Sequence, residues 1–242
     1  MAASEQAAVV HAAEGGHEER HEIKFAAYTV EYERVRHWLR MHAAGFIRPY
    51  PNRRVNNVYF DTHDYRAYAE NLAGVSERSK LRYRWYGDSP GPSAGSLELK
   101  QKRNMFGWKQ RFPIADAPWH EGATWSEVRA ALRAQLPDAG KFWFDQSPLP
   151  VFMNRYEREY FVSGDGRVRA TIDTRQRAYD QRYGAALNLD RPAVMQDTLV
   201  VEFKFARADR QDVVAMLRGF PLRIGRHSKF MNAMRAVGFV TY

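Results

Sequence analysis

The chain has 242 residues, and its 37 Lys and Arg against 28 Asp and Glu give a formal net charge of +9. Hydrophobic residues make up 45% of the sequence and aromatic residues 14%, so the chain can fill a core and general disorder is excluded. The absence of cysteine excludes disulfides, thiolate metal sites and thiol nucleophiles. No apolar run reaches the ~18–20 residues of a membrane-spanning helix, and we expect a soluble, cytoplasmic protein. The positive charge is compatible with nucleic acid, an acidic membrane surface or a polyanionic substrate.

The hydrophobic pattern predicts strands and helices that alternate within one domain. Residues 1–17 show no sustained periodicity and predict a flexible N-terminal tail, followed by a single domain over residues 18–242. In chain order the predicted elements are strand 20–30, helix 31–44, strand 54–61, helix 64–73, strands 78–86, 96–103 and 108–114, helix 124–136, strands 151–162, 167–174, 175–183 and 198–205, helix 208–219 and helix 226–237.

Cations alternate with apolar residues along several of the predicted strands. In the stretch KLRYRWY, Lys80, Arg82 and Arg84 are separated by single apolar or aromatic residues. Because the side chains of a strand point alternately to its two faces, the three cations share one face. The same alternation recurs at Glu22 and Lys24, at Glu98, Lys100 and Lys102, at Lys109 and Arg111, at Arg167 and Arg169, and at Glu202 and Lys204.

A charged face on a single strand is what any half-solvated antiparallel strand shows. Several such strands, mostly with Lys and Arg, instead indicate a common basic face, because neighbouring cations repel unless a polyanion or carboxylates compensate them. A sheet curled with this face inward and helices over its apolar face would enclose a basic tunnel. We therefore predict an α+β fold, a closed antiparallel β-barrel of about eight strands with a charged lumen, flanked by helices.

Such a tunnel suits a phosphate chain. Arg grips phosphate oxygens bidentately, Lys adds a movable point charge, and a low-dielectric wall strengthens both. Carboxylates on the same face would hold a divalent cation, Mn²⁺ or Mg²⁺, that bridges phosphate oxygens. Nucleic acid is not expected, because the cations alternate along strands and do not lie in a basic arm or along one exposed helix. P-loop, dinucleotide-binding and serine nucleophile elbow motifs are absent from the sequence.

Eight stretches of the sequence follow one another in a specific order over residues 20–230: RHEIKF, VYFDT, SKLRYRWYG, LELKQK, MNRYERE, VRATIDT, VVEFKF and RHSKF. In this order they resemble the vacuolar transporter chaperone (VTC) domain, the polyphosphate polymerase branch of the triphosphate tunnel metalloenzyme (CYTH-like) superfamily. CYTH domains carry Glu-x-Glu-x-Lys on their first strand, whereas Arg20 stands at the first Glu position here. This departure favours the VTC-like branch over the thiamine triphosphatase and adenylate cyclase branch.

The resemblance implies roles for individual residues of the tunnel wall. The implied catalytic, phosphate-binding cations are Lys24, Arg82, Arg84, Lys100, Arg155 and Arg169. Further substrate-binding cations are Arg226 and Lys229, which the resemblance implies, and Lys102 and Lys204, which the strand alternation adds. The implied ligand of Mn²⁺ or Mg²⁺ is Glu202, with Glu22 and Glu98 as additional candidates.

The expected function is that of a metal-dependent polyphosphate polymerase, which transfers the γ-phosphate of ATP to a growing polyphosphate chain inside the tunnel. Two alternatives stay open: a tripolyphosphatase or nucleoside triphosphatase that uses the same tunnel, and a non-catalytic polyphosphate-binding module. The expected partners are ATP, triphosphate and polyphosphate, while a membrane-protein partner and the oligomeric state are left open. Eukaryotic members of the family carry an SPX module and a membrane segment, and we expect neither in this chain.

Overall fold

One antiparallel sheet of eight strands organises the fold. The computed structural model describes residues 20–104, 106–225 and 227–239, and the predicted tail over residues 1–17 lies outside them. The strands are β1 (Arg20–Tyr28), β2 (Arg53–Asp61), β3 (Glu77–Tyr86), β4 (Gly95–Arg103), β5 (Phe106–Ile114), β6 (Leu149–Val162), β7 (Arg169–Asp180) and β8 (Thr198–Ala206). The helices are α1 (Tyr32–Met41), α2 (Arg66–Ala73), α3 (Trp125–Ala134), α4 (Asp138–Asp145), α5 (Arg210–Met216) and α6 (Lys229–Ala236).

The sheet is open, which corrects the prediction of a closed barrel. Its strand order is β1-β8-β7-β6-β2-β3-β4-β5, and among the described residues no pairing joins β1 to β5. The segment before α6 contacts the outer edge of β1 instead: the N–H of Gly225 donates to the carbonyl oxygen of Lys24 at 3.0 Å. Phe25 and Ile224 form an isolated bridge at the same place. Part of the backbone edge that would close the barrel is therefore engaged elsewhere, and the sheet is a curled half-barrel.

The curl brings the two ends of the sheet near each other. Burial lowers the pKa of Lys100 on β4, and the positive charges of Lys24 on β1 and Lys204 on β8 lower it further. Because β4 is far from β1 and β8 in the strand order, these charges act on Lys100 across the hollow of the sheet. The alternating cations therefore line a concave face.

The apolar residues between the cations form the core on the convex face. Beneath α3 and α4, Trp85 and Leu97 pack in one cluster with Phe144. Beneath α1 and α5, Phe203 packs in a second cluster with Leu39. Each fully buried large apolar side chain contributes about 1.5–3 kcal/mol, so these clusters hold the helices on the sheet. Among the described residues, every helix is too short or too polar to cross a membrane.

A third apolar cluster lies at one end of the concave face. The ring centroid of Phe230 on α6 is 5.3 Å from that of Tyr59 and 5.7 Å from that of Phe152. Tyr59 is opposite Arg82 in the ladder between β2 and β3, so it shares a face with the cations. Helix α6 therefore packs inside the curl and places its first residue, Lys229, beside the charged side chains.

Candidate functional site

The concave face collects most of the predicted site residues. Residues that are opposite each other in neighbouring strands share a face, so the register of the sheet assigns each side chain to one side. The predicted residues on the concave face are Glu22 and Lys24 on β1, Arg82 and Arg84 on β3, Glu98, Lys100 and Lys102 on β4, Arg169 on β7, and Glu202 and Lys204 on β8. Lys229 joins them from α6 through an ion pair with Asp173. Arg226 lies outside the described residues.

Arg155 is placed on the opposite, convex face. It is opposite Arg177 in the ladder between β6 and β7, and its guanidinium lies 5.2 Å from the ring centroid of Tyr179. The same guanidinium donates to the carbonyl oxygen of Pro90 in the loop between β3 and β4. Arg155 therefore does not lie in the predicted site, because its side chain is on the convex face of β6.

Arg158, which the sequence reasoning missed, lies on the concave face of the same strand. Its Nε and NH2 donate to the two carboxylate oxygens of Asp173, at 2.6 and 2.7 Å. Lys229 Nζ is 2.6 Å from Asp173 Oδ2. Burial raises the pKa of Asp173, but the charges of Arg158 and Lys229 outweigh this effect and lower it to about 2. One buried carboxylate thus holds two cations, and Arg158 shares the concave face of β6 with Tyr156, two residues before it.

Glu98 is the counter-ion of a group of cations. Its carboxylate is 1% exposed, and Arg82 donates to Oε2 from Nε and NH2 at 2.8 and 2.6 Å. Arg111 NH2 donates to Oε1 at 3.3 Å, while Arg84 NH1 and Lys109 Nζ are each 3.8 Å from the carboxylate. Burial raises the pKa of Glu98, but the positive charges hold it well below its ordinary value. Because this carboxylate is fully buried among four cations, Glu98 fits a counter-ion better than a metal ligand.

Neutral side chains fix the direction of the two central arginines. Arg84 Nε donates to Asn57 Oδ1 at 2.8 Å, and its NH2 donates to the Tyr156 hydroxyl at 3.2 Å. Arg82 NH1 donates to the Tyr59 hydroxyl at 3.1 Å. These partners carry no signal in the sequence, because uncharged polar residues do not stand out in a strand. Arginines that are already held in place lose less conformational freedom when they bind a ligand.

Glu22 and Glu202 form a pair of carboxylates on neighbouring strands. Both contact Lys204, whose Nζ lies 3.6 Å from Glu22 and 3.1 Å from Glu202. Burial raises the pKa of Glu202, but the positive charges of Lys204 and Lys24 hold it well below its ordinary value.

This carboxylate pair fits the implied Mn²⁺ or Mg²⁺. Both ions prefer oxygen ligands, and Mg²⁺ is typically bound through one or two carboxylates with substrate phosphates completing the coordination. The described part of the chain contains no cluster of three or more His, Asp or Glu side chains that could hold a metal. An ion at this position would therefore have two protein ligands, Glu22 and Glu202.

Two solved structures are among those similar to this chain. One is a protein from Hippeastrum, described as a candidate adenylyl cyclase with a dominant triphosphatase activity, with a TM-score of 0.56 and 17% identity over 88% of this chain and 94% of that chain. Another is a candidate adenylate cyclase from Vibrio parahaemolyticus, with a TM-score of 0.47 and 11% identity over 88% of this chain and 96% of that chain. The first of these likenesses shows a common fold. A comparison with curated protein sequences gave no match.

The family comparison covers nearly all of the described structure. The model of the VTC domain matches residues 19–238, a range that includes every strand of the sheet and extends beyond α6. It confirms the resemblance that the order of the sequence motifs indicated. The chain belongs to the VTC domain family.

Proposed function

We propose that this protein is a metal-dependent polyphosphate polymerase, which transfers the γ-phosphate of ATP to a growing polyphosphate chain on the concave face. The observation that carries the proposal is the set of cations held there by buried counter-ions. Glu98 holds Arg82, and Asp173 holds both Arg158 and Lys229. Each carboxylate is shared among several cations, which leaves a surplus of positive charge that a phosphate chain can neutralise. Membership of the VTC family supports a phosphate chain as the substrate.

The proposed reaction needs position and charge and no side-chain nucleophile. Arg82, Arg84 and Arg158 would hold the triphosphate of ATP extended along the concave face. A terminal phosphate oxygen of the acceptor chain attacks the γ-phosphorus in line, the bond to the β–γ bridging oxygen breaks, and ADP leaves. The guanidinium and ammonium groups stabilise the negative charge that develops on the bridging oxygen.

Glu22 and Glu202 are the residues that would hold the divalent cation. When bound, Mn²⁺ or Mg²⁺ neutralises charge on the phosphate oxygens and fixes their orientation. Lys24 and Lys204 flank the two carboxylates and would contact the phosphates beside them. Metal binding would then lie beside the lysines of β1 and β8, with Arg82 and Arg84 across the face on β3.

A triphosphate hydrolase is the second candidate, because water in place of the acceptor chain would use the same residues. The likeness to the Hippeastrum protein, which is described as having a dominant triphosphatase activity, supports this alternative. A non-catalytic polyphosphate-binding module would need the same cations and no acceptor.

Product analysis separates these candidates. The purified protein is incubated with ATP and Mn²⁺, with and without a short polyphosphate primer, and the products are resolved on a gel. A ladder of polyphosphate with release of ADP supports the polymerase. Orthophosphate release without chain growth supports the hydrolase, and tight binding of tripolyphosphate without any product supports the binding module.

A further inference from the structure

Lys80 is a cation of the concave face and is not among the residues to which the family resemblance gives a role. It lies on β3, where α6 packs inside the curl. Its Nζ is 3.5 Å from the Ser228 hydroxyl and 4.7 Å from the ring centroid of Phe230. Both contacts are with uncharged groups, and Lys80 forms no ion pair with a carboxylate in the described part of the chain.

The charges that act most strongly on Lys80 are all positive. Lys100 is directly opposite it on β4, Arg78 and Arg82 are its neighbours on the same face of β3, and Lys24 approaches from β1. Burial and then these four cations lower the pKa of Lys80 to about 7. The free protein therefore holds an amine that is largely neutral above this pH, in the middle of a basic surface.

The remaining ionisable groups around Lys80 are engaged elsewhere. On β2 the Asp61 carboxylate accepts the backbone N–H groups of Thr62, Ala67 and Tyr68. On α2 the Glu70 carboxylate pairs with Arg66 and accepts the N–H of Ser79. Beside α6, Lys229 is paired with Asp173, and His227 contacts Asn232. Burial and the charge of Lys229 lower the pKa of His227 to about 4, so this ring is neutral near pH 7.

We propose that Lys80 is a further substrate-binding residue, which takes up a proton from solvent when a phosphate chain binds to the concave face. This assignment rests on the proposed function. A phosphate oxygen placed between Lys80 and Lys100 would supply the negative charge that this part of the face lacks. The ammonium form of Lys80 then forms a charge-assisted hydrogen bond, and no covalent bond changes.

The sign of the pH dependence follows from this coupling. Below about pH 7, Lys80 is already protonated in the free protein, and binding takes up no extra proton there. At higher pH the bound state holds one more proton at Lys80 than the free state does. The contribution of Lys80 to the affinity therefore decreases by up to about tenfold per pH unit as the pH rises from about 7.

Isothermal titration calorimetry with tripolyphosphate tests the assignment. Titrations of the metal-free protein in two buffers of different ionisation enthalpy give the number of protons taken up per ligand. Lys80→Arg is the matched variant, because a guanidinium keeps the positive charge and stays protonated. Lys141→Arg, on α4 and paired with Asp138, is the control away from the concave face. Protonation of tripolyphosphate itself contributes equally to all three proteins.

At about pH 8 the wild type and Lys141→Arg should take up close to one proton more than Lys80→Arg, and at about pH 6 the difference should disappear. Equal uptake by the wild type and Lys80→Arg at about pH 8 would overturn the assignment. Lys80→Met, which has no titratable group, replaces Lys80→Arg if the arginine variant does not fold. No binding of tripolyphosphate to the wild type at about pH 6 would overturn the proposed function, and this assignment with it.

Discussion

Arg158 and Asp173 form a bidentate ion pair at the centre of the concave face, with donor distances of 2.6 and 2.7 Å. The Asp173 side chain is 0% exposed, and its Oδ2 is also 2.6 Å from Lys229 Nζ. The pair joins β6 to β7, while Lys229 ties α6 to the same carboxylate. A residue without any contact with solvent thus determines where two of the cations point.

Replacement of Asp173 by Asn should destabilise the fold. It leaves Arg158 and Lys229 without their counter-ion, and breaking a buried ion pair typically costs about 3–5 kcal/mol. Urea denaturation measures this loss as a decrease in the free energy of unfolding. Asp145→Asn is the control, since Asp145 forms an exposed pair with Arg133 that should contribute less than about 1 kcal/mol. Equal losses in the two variants would contradict the structural role of Asp173.

Acid should remove the contribution of Asp173. The pKa of its carboxyl is about 2 in the folded protein and 3.8 ordinarily, so the stabilisation is present above about pH 5 and is lost as the pH falls toward 2. Lowering the pKa of Asp173 by this amount stabilises the folded protein by about 2 kcal/mol. The difference in unfolding free energy between the wild type and Asp173→Asn should narrow by about 2 kcal/mol as the pH falls from about 6 to 2. A constant separation over this range would show that Asp173 does not titrate as described.

Arg169 and Arg177 offer a comparison of the two faces on a single strand. Both are exposed residues of β7, but Arg169 is opposite Lys204 on the concave face, whereas Arg177 is opposite Arg155 on the convex face. Arg169→Ala should weaken tripolyphosphate binding by about 10- to 100-fold, which corresponds to one lost charge-assisted hydrogen bond. Arg177→Ala should bind like the wild type. Isothermal titration calorimetry gives both affinities. Similar losses of tripolyphosphate affinity in the two variants would contradict a site on the concave face and indicate a non-specific attraction to the charged surface.

Substitutions of Glu202 and Glu98 should differ in their effect on Mn²⁺ affinity. Glu202→Gln keeps the shape of the side chain and removes a charge from the carboxylate pair, and it should weaken Mn²⁺ binding by at least about tenfold in the presence of tripolyphosphate. Electron paramagnetic resonance of free Mn²⁺ measures this affinity. Glu98→Gln should leave Mn²⁺ affinity close to that of the wild type and lower stability by about 3–5 kcal/mol. A comparable loss of Mn²⁺ binding in Glu98→Gln would restore Glu98 as a metal ligand.

The alternation of cations in the sequence predicted the concave face on β3 and β4, because both strands keep regular pairing from end to end. Alternation makes no such prediction on β6, where the register shifts between Arg155 and Glu157 and the motif MNRYERE offers two arginines of opposite orientation. Which of them faces inward depends on pairing with β7, and this pairing involves residues distant in the sequence. The family resemblance implies Arg155, whereas the structure places Arg158 on the concave face.

Three Glu-x-Lys triplets, which begin at Glu22, Glu98 and Glu202, look alike in the sequence and differ in the structure. Glu98 is surrounded by arginines of β3 and β5, while Glu22 and Glu202 lie next to each other on paired strands. Whether each glutamate is a counter-ion or a candidate metal ligand depends on the residues of the neighbouring strands. These residues are distant in the sequence, so the triplet itself does not reveal the role. The prediction of a closed barrel was wrong for the same reason. Alternation indicates which face of the sheet carries the cations, but it does not indicate which strand edges pair.

The central claim is that a phosphate chain binds to the concave face, between the arginines and the carboxylate pair. A crystal structure of the protein soaked with tripolyphosphate and Mn²⁺ tests it most directly. We predict phosphate density in contact with Arg82, Arg84 and Arg158, and Mn²⁺ density between Glu22 and Glu202. Phosphate density confined to the convex surface, with the concave face occupied only by solvent, would contradict the account.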